Sequence, residues 1–312
     1  MPPISRRLVL AAGLSTTFGV AACAPAGLEA SNSPAPTPEP TPETSTGEET
    51  TTPETSTPVE QSPTPEPTPT PKADPTAVMP GANHNGSAKE HAYPAADVQA
   101  WLEKKSTPEE KVVFLTFDDG PNHSTTVQIL DILKEHEVPA TFFVVGKIVS
   151  GAPDVLKREI AEGHSVALHS YTHDYKKLYP GRKAKVETIM DEFHRTKEDI
   201  RAVLGEDFDT SCWRYPGGHM SWKNIEPADE ALAAENCHWV DWNCMTGDAE
   251  PESRRPKSAR EMKNMAVSPI FEEKNVSVML AHDSEGKDLT VQALPEIIAE
   301  YKKAGYKFGV IA

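Results

Sequence analysis

The decisive stretch reads Lys111-Val112-Val113-Phe114-Leu115-Thr116-Phe117-Asp118-Asp119-Gly120-Pro121. Its apolar run has the length of one strand and hardly alternates, so both faces must be covered, as in a parallel strand packed between layers. Two adjacent carboxylates follow where the run ends. Two like charges side by side at the mouth of a buried strand repel each other, and the Gly-Pro pair then turns the chain away. A lone Asp-Asp-Gly is ordinarily a turn and nothing more, so its neighbours must decide.

Outward from this strand the same texture recurs. Apolar runs at 112–117, 141–145, 165–168, 212–214, 238–243, 276–281 and 307–311 alternate with amphipathic stretches at 126–137, 154–162, 185–204, 229–236, 258–265 and 291–304. Strand then helix, about seven times over residues 108–312, predicts an α/β domain of parallel βα units. A doubly wound open sheet and a barrel both fit. The barrel is favoured because each reactive cluster described below closes a different strand at its C-terminal end, where barrel enzymes carry their sites. Residues 95–104, with Trp101, read as a helix that leads into the domain and packs under it.

Upstream the composition changes. The chain has 47 acidic and 31 basic side chains and 29 prolines; residues 31–80 hold 14 of those prolines, 13 threonines and only six apolar residues, too few for a packed core. That stretch carries −7, residues 1–30 carry +1 and residues 81–312 carry −10. The expected organisation is a signal peptide over 1–22, a disordered, polyproline-like Pro/Thr/Glu linker over 23–80, a lead-in over 81–107 and one folded domain over 108–312. Arg6 and Arg7 before the apolar residues 8–20 fit either a plain or a twin-arginine export signal. Val20-Ala21-Ala22-Cys23 resembles a bacterial lipoprotein box with Cys23 as the lipidated residue; an ordinary secretory cleavage near Ala26 is the alternative. The prediction is an exported protein, lipid-anchored to the outer face of the cell membrane and reaching into the wall. An acidic domain without a basic cluster argues against nucleic acid, and a monomer is expected.

Four further clusters follow strands. His169-Ser170-Tyr171-Thr172-His173 sets two imidazoles four positions apart, a spacing that shares one face of a helical turn and reaches one cation. With one aspartate of the pair at 118–119 they make three protein ligands and an open position, the set of a catalytic metal. Arg214-Tyr215-Pro216-Gly217-Gly218, Asp241-Trp242-Asn243 with Asp248, and His282 complete the series. Each has a plain reading: a surface ion pair for Arg214, a loop for Pro-Gly-Gly, a cap for Asp241, a satisfied core histidine for His282. Five clusters at five strand ends are poorly explained as accidents.

In order, residues 116–120, 169–173, 214–218, 241–248 and 280–282 resemble the five motifs of the carbohydrate esterase family 4 (NodB-homology) polysaccharide deacetylases, over essentially all of 108–312. The resemblance implies a distorted (β/α) barrel of about seven parallel strands and metal-dependent hydrolysis of N-acetyl groups on sugars, linear amides other than peptide bonds. It implies Asp119, His169 and His173 as ligands of a divalent metal, Asp118 as general base, His282 as general acid, and Arg214 as the group that holds Asp118. Zn2+ is the expected ion, and Co2+ or Mn2+ also suits a His2Asp set. Many members carry an Asp three positions after the Trp of the fourth motif and then an Asp-Trp pair; this chain has Met245 and Asp248-Ala249 there. The partner of His282 is therefore Asp248, Asp241 or neither. Residues 241–250 look closer to Gram-positive peptidoglycan deacetylases, some of which act on N-acetylmuramic acid.

Chemistry supports these roles independently. A bound metal polarises the acetyl oxygen and lowers the pKa of its water toward ~7. A guanidinium beside Asp118 favours its charged form, and a backbone N–H of 215–218 is the candidate donor to the oxyanion. The amine leaves only with a proton, so His282 must be charged beforehand, which a nearby carboxylate promotes. Tyr215, Pro216, Gly217 and Trp242 are the substrate-binding candidates, with Trp213, Tyr215 and Trp242 as stacking surfaces. His123 and His164 read as surface histidines. Cys212, Cys237 and Cys244 permit at most one disulfide or stay free. The expected substrate is cell-wall peptidoglycan, at N-acetylglucosamine (GlcNAc) or N-acetylmuramic acid (MurNAc). Chitin oligomers, poly-N-acetylglucosamine and acetylxylan are alternatives within this chemistry, and a non-catalytic wall-binding lipoprotein is the alternative outside it. A phosphoester hydrolase would need a cationic pocket, and the domain offers little beyond Arg214.

Overall fold

The computed structural model describes residues Asp74–Ala312. The signal segment, Cys23 and the Pro/Thr/Glu-rich stretch up to residue 73 lie outside the described residues. The strands are β1 (Ala92–Tyr93), β2 (Val112–Asp118), β3 (Thr141–Val144), β4 (Ser165–Leu168), β5 (Cys212–Trp213), β6 (His238–Trp239), β7 (Cys244–Met245), β8 (Val276–His282) and β9 (Lys307–Ile311). Around them lie α1 (Ala95–Leu102), α2 (Thr125–Glu135), α3 (Pro153–Ala161), α4 (Tyr175–Leu178), α5 (Val186–Leu204), α6 (Glu226–Ala234), α7 (Ala259–Ala266), α8 (Ser268–Phe271) and α9 (Asp288–Lys303). Every strand pairing is parallel.

Seven strands curl in the order β7-β8-β2-β3-β4-β5-β6, and β9, followed by β1, joins the first half of β2. The ladder does not close, because β6 and β7 do not pair. The single strand expected over 238–243 is broken accordingly. His238–Trp239 stays in the sheet, residues 240–243 cross the opening, and pairing resumes at Cys244 beside Met279. The result is the distorted (β/α) barrel anticipated from the sequence.

Strand side chains alternate between faces, and this places the site. On β2, Val113, Leu115 and Phe117 face outward and pack with Ile129, Leu130 and Leu133 of α2 and Ile297 and Ile298 of α9. Val112 and Phe114 face the interior with Phe143, Ala167, Cys212, Val276 and Val278. Continuing that inner row, Thr116 and Asp118 point into the barrel toward its C-terminal mouth. The expected lead-in helix forms as α1. Its Ala95 and Val98 are buried among the interior residues, and Tyr93 meets Phe114 edge-on at 5.4 Å, so the N-terminal mouth is plugged. Cys212, Cys237 and Cys244 are all free and buried. His164 is not a surface histidine: it is buried, and its Nδ1 accepts the Ala140 N–H at 3.2 Å. His123 is exposed and pairs with Asp154.

Candidate active site

The two histidines of residues 169–173 converge, though not on a helical turn. The segment is a loop with left-handed backbone at Ser170 (φ 63°) and His173 (φ 55°), and Asp119 is also left-handed (φ 84°). Such conformations persist only where surrounding contacts enforce them. Glu192 of α5 does so here, accepting from Tyr171 N at 3.0 Å, Thr172 N at 2.9 Å and Thr172 Oγ1 at 2.6 Å. His169 Nδ1 lies 2.8 Å from the Arg214 carbonyl, which only accepts, so Nδ1 carries the proton and Nε2 presents a lone pair. Burial lowers the His169 pKa to about 3, so the ring is neutral.

Asp119 Oδ1 lies 3.4 Å from His173 Nε2 and 3.8 Å from His169 Nε2. The three ligand atoms fall within 4.8 Å of one another. Asp119 Oδ1 is buried without a hydrogen-bond partner. A carboxylate oxygen left orphaned between two imidazole nitrogens is costly unless a cation joins them. The donor set, one hard oxygen and two imidazoles with a side left open, suits a divalent metal.

Asp118 ends the inner row of β2 and is 3% exposed. Its Oδ1 accepts from Arg214 Nη1 at 2.8 Å, while its Oδ2 lies 3.6 Å from His169 Nε2. Arg214 is fully buried, with its guanidinium carbon 3.8 Å from the centre of the Phe143 ring. It also donates to Thr116 Oγ1 at 2.7 Å and to the carbonyls of Val240 at 2.9 Å and Asp241 at 3.2 Å. Those two carbonyls belong to the segment that crosses the opening between β6 and β7. One guanidinium thus fixes Asp118 and satisfies backbone that the broken ladder leaves unpaired.

His282 is the register partner of Asp118 on the adjacent strand. Its Nδ1 meets Asp248 Oδ1 at 2.8 Å, and its backbone N–H donates to Asp248 Oδ2 at 2.9 Å. Thr290 Oγ1 adds a third bond at 2.8 Å. Burial alone would lower the His282 pKa; the hydrogen bond and charge of Asp248, with the charges of Asp118 and Asp119, outweigh it and raise the pKa above the ordinary value. Asp248 itself is held down at about 2: burial pushes it up, and the bond and charge of His282, with Lys287 and Thr290, prevail. Of the alternatives left open by the sequence, Asp248 is therefore the partner. Asp241 has another task, accepting the His219 N–H with both oxygens at 3.0 Å.

Residues 105–231 match the family described as polysaccharide deacetylase. A peptidoglycan-N-acetylglucosamine deacetylase of Bacillus cereus is 33% identical over 208 residues, which cover 64% of this chain and 69% of that protein. A bifunctional xylanase/deacetylase of Pseudobutyrivibrio xylanivorans is 31% identical over 208 residues, 66% of this chain and 31% of that protein. The solved structure of a Streptococcus mutans CE4 esterase shares 41% identity at a TM-score of 0.71, covering 77% of this chain and 100% of that one. The chain belongs to the polysaccharide deacetylase family. It is a hydrolase of the CE4 fold, and its Asp119, His169 and His173 cluster is placed as in the active sites of that family.

The deacetylase pocket, about 260 Å³, is lined by Asp118, Asp119, His169, His173, Asp248 and His282. Of the substrate-binding candidates, Gly217 and Trp242 reach it. Tyr215 and Pro216 do not line it. The Tyr215 ring is fully buried and its hydroxyl donates to Asp229 at 2.9 Å, so it offers no stacking face; Trp213 is likewise core. Gly218 has φ 84°, and a Cβ there would lie 2.8 Å from the Trp242 ring, so glycine is what lets that indole settle at the rim. Tyr175, 44% exposed and 5.2 Å from His173 between ring centres, was not singled out in the sequence. Its position two residues after the second histidine was the available signal.

Proposed function

We propose that this domain hydrolyses N-acetyl groups on peptidoglycan glycan strands, at GlcNAc or MurNAc, with Asp118 as base and His282 as acid. The observation that carries the assignment is the facing of Asp118 and His282 as register partners beside the Asp119–His169–His173 cluster. The relatives named as peptidoglycan deacetylases support the substrate. Zn2+ is the proposed ion, and when bound it supplies Lewis acidity toward the acetyl oxygen and a more acidic water.

The residues divide the remaining work. Asp118 Oδ2, free of Arg214, takes the proton from the attacking water, while Oδ1 is pinned so the carboxylate keeps one orientation. Gly218 N–H is spent on the Tyr215 carbonyl at 2.8 Å. The Tyr215 and Gly217 N–H groups find no backbone acceptor among the described residues, which leaves them as the candidate donors to the developing oxyanion. His282, charged through Asp248 on Nδ1, gives the Nε2 proton to the departing amine. The products are acetate and a free amino sugar.

Acetate release from purified peptidoglycan and from neutral GlcNAc oligomers, with Asp118→Asn and His282→Ala alongside, tests the assignment. Release from peptidoglycan that both variants lower by about 10²–10⁴-fold is expected; release unchanged by Asp118→Asn would sink it. We also assign lipid attachment to Cys23, which would keep the domain at the outer membrane face. Cys23→Ala should shift the protein from the membrane fraction to the medium, and retention in the membrane would refute the anchor.

A further inference from the structure

The domain is acidic, yet the eleven residues 175–185, Tyr-Lys-Lys-Leu-Tyr-Pro-Gly-Arg-Lys-Ala-Lys, carry five cations and no acid. The expectation of no basic cluster fails here, because a net charge averages the segment away. An open groove of about 700 Å³ is lined by Lys147, Lys176, Lys177, Thr172 and Asp174, together with His173 and Tyr175. His173 and Tyr175 also line the catalytic pocket, so the two spaces adjoin at those side chains.

What distinguishes this groove is that three lysines share it with a single carboxylate. Lys134, Arg158, Arg195, Lys197, Arg254, Lys274 and Lys307 sit against an Asp or Glu, while other surface cations of the described residues, such as Lys104 and Lys157, are unpaired but line no groove of this kind beside the pocket. Among the described residues, no salt bridge engages Lys147, Lys176 or Lys177, although all three are exposed in a domain rich in carboxylates. Lys147 is oriented by donating to the Thr172 carbonyl at 2.8 Å, within the loop that carries His169 and His173. Asp174, the one acid in the groove, is occupied in accepting the Lys176 N–H at 2.9 Å. Three lysines against one engaged carboxylate leave a net positive strip that starts at the metal-side wall of the pocket.

We infer that the Lys147–Lys176–Lys177 groove is a subsite for carboxylates borne on the glycan strand, making the enzyme selective for acidic strands over neutral ones. This rests on the proposed glycan substrate and specifies its charge. A strand whose acetamide lies in the pocket continues past Tyr175, so carboxylates on neighbouring units enter the reach of the lysines. Two sources share this chemistry: the lactyl carboxylate of a muramic unit stripped of its peptide, and the free carboxylates of an attached stem peptide, in which the lactyl group is an amide.

The test uses the full-length metal-loaded chain and its Lys176→Gln/Lys177→Gln variant, with three ligands of matched length: peptide-free strands, peptide-bearing strands and neutral GlcNAc oligomers. Calorimetric affinity and KM are read at low and high salt. Exposed ion pairs are worth a few-fold each, so the double variant should weaken binding of an acidic strand by about tenfold and flatten its salt dependence. Affinity for the neutral oligomer and kcat on every ligand that turns over should stay within about twofold. An effect on peptide-free strands identifies the lactyl group, and one confined to peptide-bearing strands identifies the stem. Equal weakening for neutral and acidic ligands, or none for any, overturns the inference. If no ligand releases acetate, the deacetylase reading fails while the affinities still decide the groove.

Discussion

Two histidines face the same pocket from different strand ends, and their second partners set them apart. His169, after β4, donates its Nδ1–H to a neutral carbonyl, and burial then drives its pKa to about 3. His282, ending β8, donates its Nδ1–H to the carboxylate of Asp248, and its pKa rises instead. His169 is buried and His282 half-buried, yet burial opposes the charged form of both rings, so the sign of the shift is set by the partner. A carbonyl fixes a tautomer without adding charge, which suits a ligand; a carboxylate stabilises the imidazolium, which suits an acid.

The largest expected effect comes from exchanging those roles. His169→Ala should abolish activity together with metal content, whereas His282→Ala should lower kcat about 10²–10⁴-fold with metal content unchanged, as elemental analysis of the purified variants would show. Metal lost from His282→Ala would collapse the distinction. Asp118→Asn should likewise cost about 10²–10⁴ in kcat without loss of metal, because the base is not among the three ligands.

Asp248→Asn is a finer probe. Since the acid must be charged, activity falls as pH rises through the His282 pKa, and Asp248 is what raises that pKa. Without it, the alkaline limb of the kcat profile should move to lower pH; a limb that stays in place would remove Asp248 from the mechanism. The smallest effect concerns a buried acid that lacks what Asp248 has. Glu159 of α3 is fully buried, neither oxygen has a hydrogen-bond partner, and burial, with the charge of Asp283, raises its pKa well above the ordinary 4.5. The folded state holds the extra proton, so stability is intact below about pH 4.5 and declines as pH rises toward the raised value. Glu159→Gln should therefore gain about 1–3 kcal/mol at pH 8 and little at pH 4, read from unfolding curves. A gain independent of pH would show that charge is not the cause.

Local continuity explains what the sequence disclosed. β2 and β8 were legible because each is a nearly continuous apolar run, and β9 was recovered over 307–311 unchanged. β7 was not legible, since its two residues carry no periodicity and exist as a strand only through pairing with Met279 and Leu280. The ligands Asp119, His169 and His173 were readable as residue types, but their convergence depends on left-handed backbone and on Glu192, nineteen positions beyond His173. The Asp248–His282 pair joins residues 34 apart through the β7–β8 register, which no local pattern encodes. Tyr215 misled because aromatic chemistry at a strand end does not reveal which way the ring turns; its hydroxyl found Asp229 on α6 and took the ring into the core.

Arg214 closes the seam of an incomplete barrel with the same group that orients the catalytic carboxylate. Mechanical integrity and reactivity are therefore written into one side chain and cannot drift apart. A lysine there keeps the charge but has no planar fork to span Val240, Asp241, Thr116 and Asp118 together. Loss of the base's alignment should always arrive with a loosened wall, so a folded but inactive enzyme is easier to obtain at Asp118 than at the residue that holds it.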